Sequence, residues 1–373
     1  MAFIEQEVLR GCFLSLKSLH NRLSEIRHTR YPSGSISPFI YLFELAFDRL
    51  WSQLLIHDQN LQRGYAGNIR PHLQYVWNFI NLDCPEYLCL LETANSTKVP
   101  HEIIRPLEDI AGNILGNTKL LFRASDALNF STINVLELVD IEINRTVQAL
   151  YATIGVLDFI SDLNRFLKEK NEGPYDSLCI ISFPSLDRGT FLQHTIIGHE
   201  IGHIIVRKKA KDIFENEQIA ESVRKQFSEK LGFPSAVNKG EKIIDELMEI
   251  FWIYFEELYC DFVEYEMFGW SAIFSEFAFN IGRPEPDTWW QNHPPDRYRL
   301  MELLKHAKPM DFLLALKKLP SELEKSIGQR CDEILKWVGY TKGIGVKIDE
   351  IQDRKMDLEG IPLNQKIVLV SCV

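Results

Sequence analysis

Apolar residues return at intervals of three and four along most of this chain, the spacing that lines one face of an α-helix, and they predict a mainly helical protein. Ser37-Pro38 opens one such stretch, running from Phe39 to Ile56. Proline near the first helical position costs nothing there, because that N–H has no partner within the helix. The same spacing predicts a second long helix from Asn134 to Lys170, its aromatic and aliphatic stripe forming core. Asn171-Glu172-Gly173-Pro174 breaks the pattern and predicts a domain boundary. Leu178 to Phe183 then reads as a short strand, apolar at nearly every position. Residues 241–269 hold no proline, are strongly periodic and end on Gly269, which predicts one long helix. A further helix is expected near Asp296, with helices continuing to about Val338. Beyond Thr341, Gly343, Gly345, Gly360 and a Lys-Ile-Val-Leu-Val ending predict loops and short strands. The expected organisation is an N-terminal helical domain over 1–170, a second domain over 171–340 and a tail over 341–373.

One segment carries candidate chemistry. His199-Glu200-Ile201-Gly202-His203 lies within an otherwise apolar run from Thr195 to Val206. Histidines four apart on a helix point the same way, one turn above the other. Their imidazole nitrogens can then both reach one Zn²⁺ at about 2.0–2.1 Å, and Glu200, beside the first of them, is placed to act as general base on the bound water. The H-E-x-x-H pattern alone is only moderately specific. Its flanks sharpen it: Ile196, Ile197, Ile201, Ile204 and Ile205 suit a buried helix, whereas two solvated histidines would need polar neighbours.

A catalytic zinc takes a third protein ligand and leaves one position open. Glu257 and Asp261 share a face of the helix predicted over 241–269, and Phe255, Leu258, Phe262 and Val263 surround them with apolar bulk. Glu257 is the expected ligand. Asp261 would accept a hydrogen bond from the free ring nitrogen of a ligand histidine, expected to be His199, fixing its tautomer. Glu256 is the competing ligand, and most other acids of this helix are a solvated face. Gly202 costs about 1 kcal/mol of helix propensity relative to Ala, a loss that a close crossing of the two helices at that point would justify.

Taken together, these residues resemble the gluzincin zinc metallopeptidases, and within them the M48-like group. The resemblance rests on three elements in order: His199–His203, Glu257–Asp261 and the stretch Asn292-His293-Pro294-Pro295-Asp296-Arg297-Tyr298-Arg299-Leu300. It implies a zincin-type core with a small β element, and His199, His203 and Glu257 as zinc ligands. It further implies Glu200 as base, and His293 and Arg299 near the cleft, stabilising transition-state charge or positioning the site. Tyr298 and Tyr259 are further candidates to face an oxyanion. The strand before the histidine helix would be either a cleft edge that pairs with substrate backbone or a buried central strand. For the His-Pro-Pro element, a capped turn before a helix is compatible with either role. The resemblance covers roughly residues 175–306.

Composition narrows the biology. The chain has 373 residues, long enough for two domains. Its net charge of −11 argues against a nucleic-acid partner, which would need a concentrated basic footprint. Arg207-Lys208-Lys209 complements the negative end of the histidine helix. Seven scattered cysteines without a C-x-x-C pair fit reduced thiols. No run is apolar enough to span a bilayer and no basic-then-apolar leader opens the chain, so a cytoplasmic location is expected. The function expected is that of a soluble metalloendopeptidase acting on protein or peptide substrates. Cytosolic proteolysis needs restraint, so latency or a regulatory protein partner is expected, with the N-terminal domain as lock or substrate reader. The rival expectation is a zincin-fold sensor or scaffold that binds partners without hydrolysing them.

Overall fold

The computed structural model describes residues 2–29, 31, 36–63, 70–94, 101–125, 130–150, 158–184, 195–214, 218, 220–225, 238–281, 287, 293–307, 317, 320 and 321–338. The chain divides into two compact units, Met1–Thr190 and Phe191–Val373.

The first unit opens with α1 (Ala2–His28) and α2 (Ile36–Gln62). On α1 the buried residues Leu9, Cys12, Leu16, Leu19, Leu23 and Ile26 alternate steps of three and four. That stripe packs on Phe39, Phe43, Phe47 and Leu50 of α2 in one apolar core. Pro38 lies in the first turn of α2, as its lack of an N–H requires. An almost unbroken helical path follows: α3 (Arg70–Asn78), a π-helical turn at Phe79–Asp83, then α4 (Cys84–Thr93). After it come α5 (His101–Leu115), β1 (Thr118–Ser125) and β2 (Ser131–Asn134).

The helix expected over Asn134–Lys170 is two helices, α6 (Val135–Leu150) and α7 (Phe159–Glu169). Asp158 starts the second by accepting a hydrogen bond from the Ser161 N–H at 3.0 Å, a cap that apolar spacing does not reveal. The expected stop is present: Asn171 and Gly173 have φ of 59° and 64°, a left-handed backbone that ends a helix. Strand β3 (Ser177–Pro184) then enters the middle of a three-stranded sheet in the order β1-β3-β2, parallel to β1 and antiparallel to β2. It is therefore a central strand and not the edge of a cleft. Leu178, Ile180 and Ile181 are fully buried, and Leu178 and Ile180 belong to the core of the first unit. Covering on both faces explains the continuous apolar run. The strand thus belongs with the N-terminal unit, and the division of the chain falls some twenty residues beyond Lys170.

The second unit contains α8 (Ile196–Phe214), α9 (Asn238–Phe268), α10 (Trp270–Asn280), α11 (Asp296–Ala307) and α12 (Ser321–Trp337). Gly269, with φ of 58°, makes the corner between α9 and α10. Ile273, Phe277, Leu300, Leu303, Leu304 and Ile334 form a core shared by α10, α11 and α12. Among the described residues no helix is long and apolar enough to cross a membrane. Six cysteines are described and none of them forms a disulfide, five being buried and Cys89 exposed. The expected turn at Asp187–Thr190, Asn292, Cys372 and the predicted strands of the tail lie outside the described residues.

Candidate metal centre

Helices α8 and α9 approach unusually closely, and glycine permits it. A Cβ added at Gly202 would lie 2.7 Å from the Cys260 Cα, and one at Gly198 would lie 3.1 Å from the Glu264 Cα. Partners fall along α9 as they rise along α8: Thr195 meets Glu264, His199 meets Asp261 and His203 meets Glu256. The two helices therefore run antiparallel, and their polar residues face each other across the crossing.

The histidine rings stand 4.9 Å apart, centroid to centroid. Each is pinned through Nδ1. His199 Nδ1 lies 2.9 Å from Asp261 Oδ1, and His203 Nδ1 lies 2.7 Å from Glu256 Oε1. An Nδ1–H donated to a carboxylate leaves the Nε2 lone pair as the free donor. Both Nε2 atoms turn toward Glu257, at 3.4 Å from Oε2 for His199 and 3.8 Å from Oε1 for His203. Tetrahedral bonds of about 2.0–2.1 Å put two donors about 3.3–3.4 Å apart. His199 meets that separation at Oε2, whereas His203 lies somewhat beyond it at Oε1, so one cation held by all three would draw the side chains together.

Two other donor groupings come within 4.8 Å: His199–His203–Cys260 and His199–Asp261–Glu264. Glu257 belongs to neither, and it meets the two rings with different oxygens. Chemistry favours it nonetheless. The Cys260 thiol is held against Gly202 in the helix crossing, and burial with nearby carboxylates pushes its pKa well up, away from the thiolate that binds metal. Asp261 has both oxygens occupied by Arg299: Nε donates to Oδ2 at 2.8 Å and Nη2 donates to Oδ1.

Arg299 is 7% exposed and reaches the site from α11. Its Nη1 donates to His293 Nε2, while His293 Nδ1–H donates to the Pro294 carbonyl at 2.8 Å. That pair of bonds requires a neutral His293. Burial, reinforced by Arg299, lowers its pKa to about 4. The His-Pro-Pro element thus adjoins the cluster, with His293 Nε2 3.5 Å from Glu257 Oε2. Burial alone would raise the pKa of Glu257, but contact with His199 and the charge of Arg299 outweigh it and hold the group to about 2. Asp261 is held below the ordinary carboxylate range, Arg299 again overcoming burial. Burial disfavours charge on His199, yet its bonds to Asp261 and Glu257 move its pKa well up.

Glu200 is 6% exposed beside His199 on α8. Tyr259 and Tyr298 are half-buried. Glu256, the competing ligand expected from the sequence, lies at Nδ1 of His203, while Glu257 lies toward Nε2. Its position immediately before Glu257 was the available signal, since each histidine of a metal-binding pair would need such a partner. Thr195, Gly198, Glu264 and Glu276, all buried around the cluster, had no motif to announce them. Comparison with protein-family models, curated proteins and solved structures found no match to this chain.

Proposed function

We propose that the second unit is the catalytic region of a zinc-dependent metalloendopeptidase of gluzincin type, with His199, His203 and Glu257 as the metal ligands. One observation carries this reading: both histidines are held through Nδ1 by separate carboxylates while both Nε2 atoms face the same third acid. A surface or core histidine pair has no need of that arrangement. A zinc ion bound there supplies Lewis acidity, polarising a carbonyl and lowering the pKa of a water toward ~7. The protein's part is to hold the donors and move the proton. Asp261 and Glu256 fix the ring tautomers and raise the basicity of the ligand nitrogens. Glu200 takes a proton onto its carboxylate as water attacks the scissile carbonyl, then passes it to the leaving amine nitrogen.

Arg299 is best read as a positioning residue. Its guanidinium is spent on Asp261 and His293, so it braces the carboxylate behind His199. His293, whose Nε2 accepts from Arg299 and lies 3.5 Å from Glu257, carries that brace on to the third acid. The substrate is a protein or peptide, and a regulatory partner or latency accounts for restraint of such an activity. The test is metal analysis of purified protein joined to a comparison of new protein N-termini produced by wild type and by Glu200→Gln. One zinc per chain and cleavages lost in Glu200→Gln are expected. Zinc without any Glu200-dependent cleavage would instead favour the sensor or scaffold reading.

A further inference from the structure

Behind the histidine cluster lie two acids that the proposed chemistry does not use. Glu264 on α9 is fully buried and Glu276 on α10 is 6% exposed. Glu264 Oε1 accepts from the Thr195 hydroxyl at 2.9 Å, and its Oε2 has no hydrogen-bond partner. Glu276 Oε2 accepts from the Asn280 amide at 2.9 Å. Among the described residues neither acid has an ion-pair partner.

Charge counting shows what this demands. The groups facing the pair are His199 from α8, Asp261 from α9, and Arg299 with Asp296 from α11. Arg299 is the one fixed cation of that set, and it is committed to Asp261 by two hydrogen bonds. Two further carboxylates, buried and unpaired, would each carry the several-kcal/mol penalty of an uncompensated charge. They would also compete with Asp261 for Arg299. A proton on the pair removes both problems, since a neutral carboxyl still accepts from Thr195 and Asn280.

We propose that Glu264 and Glu276 form a proton-holding carboxyl pair that positions the histidine helix, Glu264 anchoring Thr195 as a neutral acid and leaving Arg299 to Asp261. Electrostatics agree with the geometry: burial first, then the mutual repulsion of the two acids, pushes Glu264 well up from its usual 4.5, and burial also raises Glu276. The anchor sits at the start of α8, one turn before His199, where Gly198 lets the helix backbone lie against α9. A proton there therefore bears on where His199 stands without touching the ligand set. The consequence for zinc rests on the reading given above, whereas the protonation does not.

Infrared difference spectroscopy on metal-free protein near pH 7 tests the protonation directly. A protonated-carboxyl carbonyl band is expected in the wild type, reduced in Glu264→Gln and in Glu276→Gln. The sign of the linkage supplies an independent reading. An acid whose folded pKa is raised contributes stability below its unfolded pKa that is lost as pH rises toward the folded value. Wild type should thus lose melting temperature from about pH 5 to about pH 8 more steeply than either Gln variant. In zinc titrations Glu264→Gln, neutral and isosteric, should bind within about threefold of wild type, while Glu264→Ala weakens binding about tenfold or more. Absence of the carbonyl band in wild type overturns the proposal even if no variant folds. An unchanged band in both Gln variants, or Glu264→Gln losing zinc as fully as Glu264→Ala, overturns it as well. A protein that shows the band but binds no zinc refutes the metallopeptidase reading and leaves the carboxyl pair standing.

Discussion

The third acid of the cluster separates two roles that adjacent residues divide between them. Glu257 faces both Nε2 atoms, whereas Glu256 lies on the far side of the His203 ring at Nδ1. Glu257→Ala should accordingly abolish most zinc binding, because it removes one of the three proposed ligands. Glu256→Ala and Asp261→Asn should each weaken binding or activity by roughly 10–100-fold, the scale for losing a carboxylate behind a ligand histidine. Calorimetric zinc titration of the three variants distinguishes the roles, and equal losses at Glu256 and Glu257 would count against this division. Arg299 is a harsher position. Removing its side chain leaves Asp261 buried without a counter-charge, so Arg299→Ala should cost about 3–5 kcal/mol in urea denaturation. Arg299→Lys should rescue little, since an ammonium cannot reproduce the paired Nε and Nη2 contacts to one carboxylate.

At the scale of elements, the crossing of α8 on α9 decides whether these donors meet. Substituting Ala for Gly within a helix ordinarily gains about 1 kcal/mol of propensity. At Gly202 the added methyl would stand 2.7 Å from a backbone carbon of α9, and forcing the helices apart costs about 1–3 kcal/mol. Gly202→Ala should therefore destabilise the protein and lower zinc affinity together; a rise in melting temperature with unchanged zinc binding would show that the crossing is loose. The need for close approach at Gly202 was legible from sequence, as were α8, α9 and the spacing of Glu257 and Asp261, because all of these are periodicities within single helices. The second contact glycine, Gly198, and the Thr195–Glu264 bond were not, because they depend on the register between two helices far apart in the chain. The strand at 177–184 illustrates the same limit. Its apolar run announced a strand, but only pairing with β1 on one side and β2 on the other makes it central. The helix start at Asp158 was hidden for a related reason: α6 and α7 both follow helical spacing, and the cap at Asp158 is a single side-chain bond.

For the molecule as a whole, the two units differ in what fills their interiors. The first is held by Phe39, Phe43, Phe47, Phe79, Phe159 and the leucines of α1, an apolar core of ordinary kind. The second places His199, Asp261, Glu264, Glu276 and Arg299 in its interior, with apolar residues gathered around α10, α11 and α12. Burying apolar surface stabilises by about 25 cal/mol per Å², whereas buried charge is at best compensated. A ligand that binds only the folded state should then weigh more heavily on the second unit. At a free concentration of 100 times Kd, a bound ion adds about 2.7 kcal/mol to the stability of what it binds. Stripping metal with a chelator should speed hydrogen exchange in α8, α9 and α11 while leaving α1, α2 and β3 unchanged, because exchange reports local opening as well as global unfolding. Mass spectrometry of peptides from 196–214, 238–268 and 296–307, set against 36–62 and 177–184, reads this directly. Exchange that rises equally in both units would mean that the metal stabilises the chain as one cooperative body, and exchange that rises in neither would remove the case for a metal in the second unit.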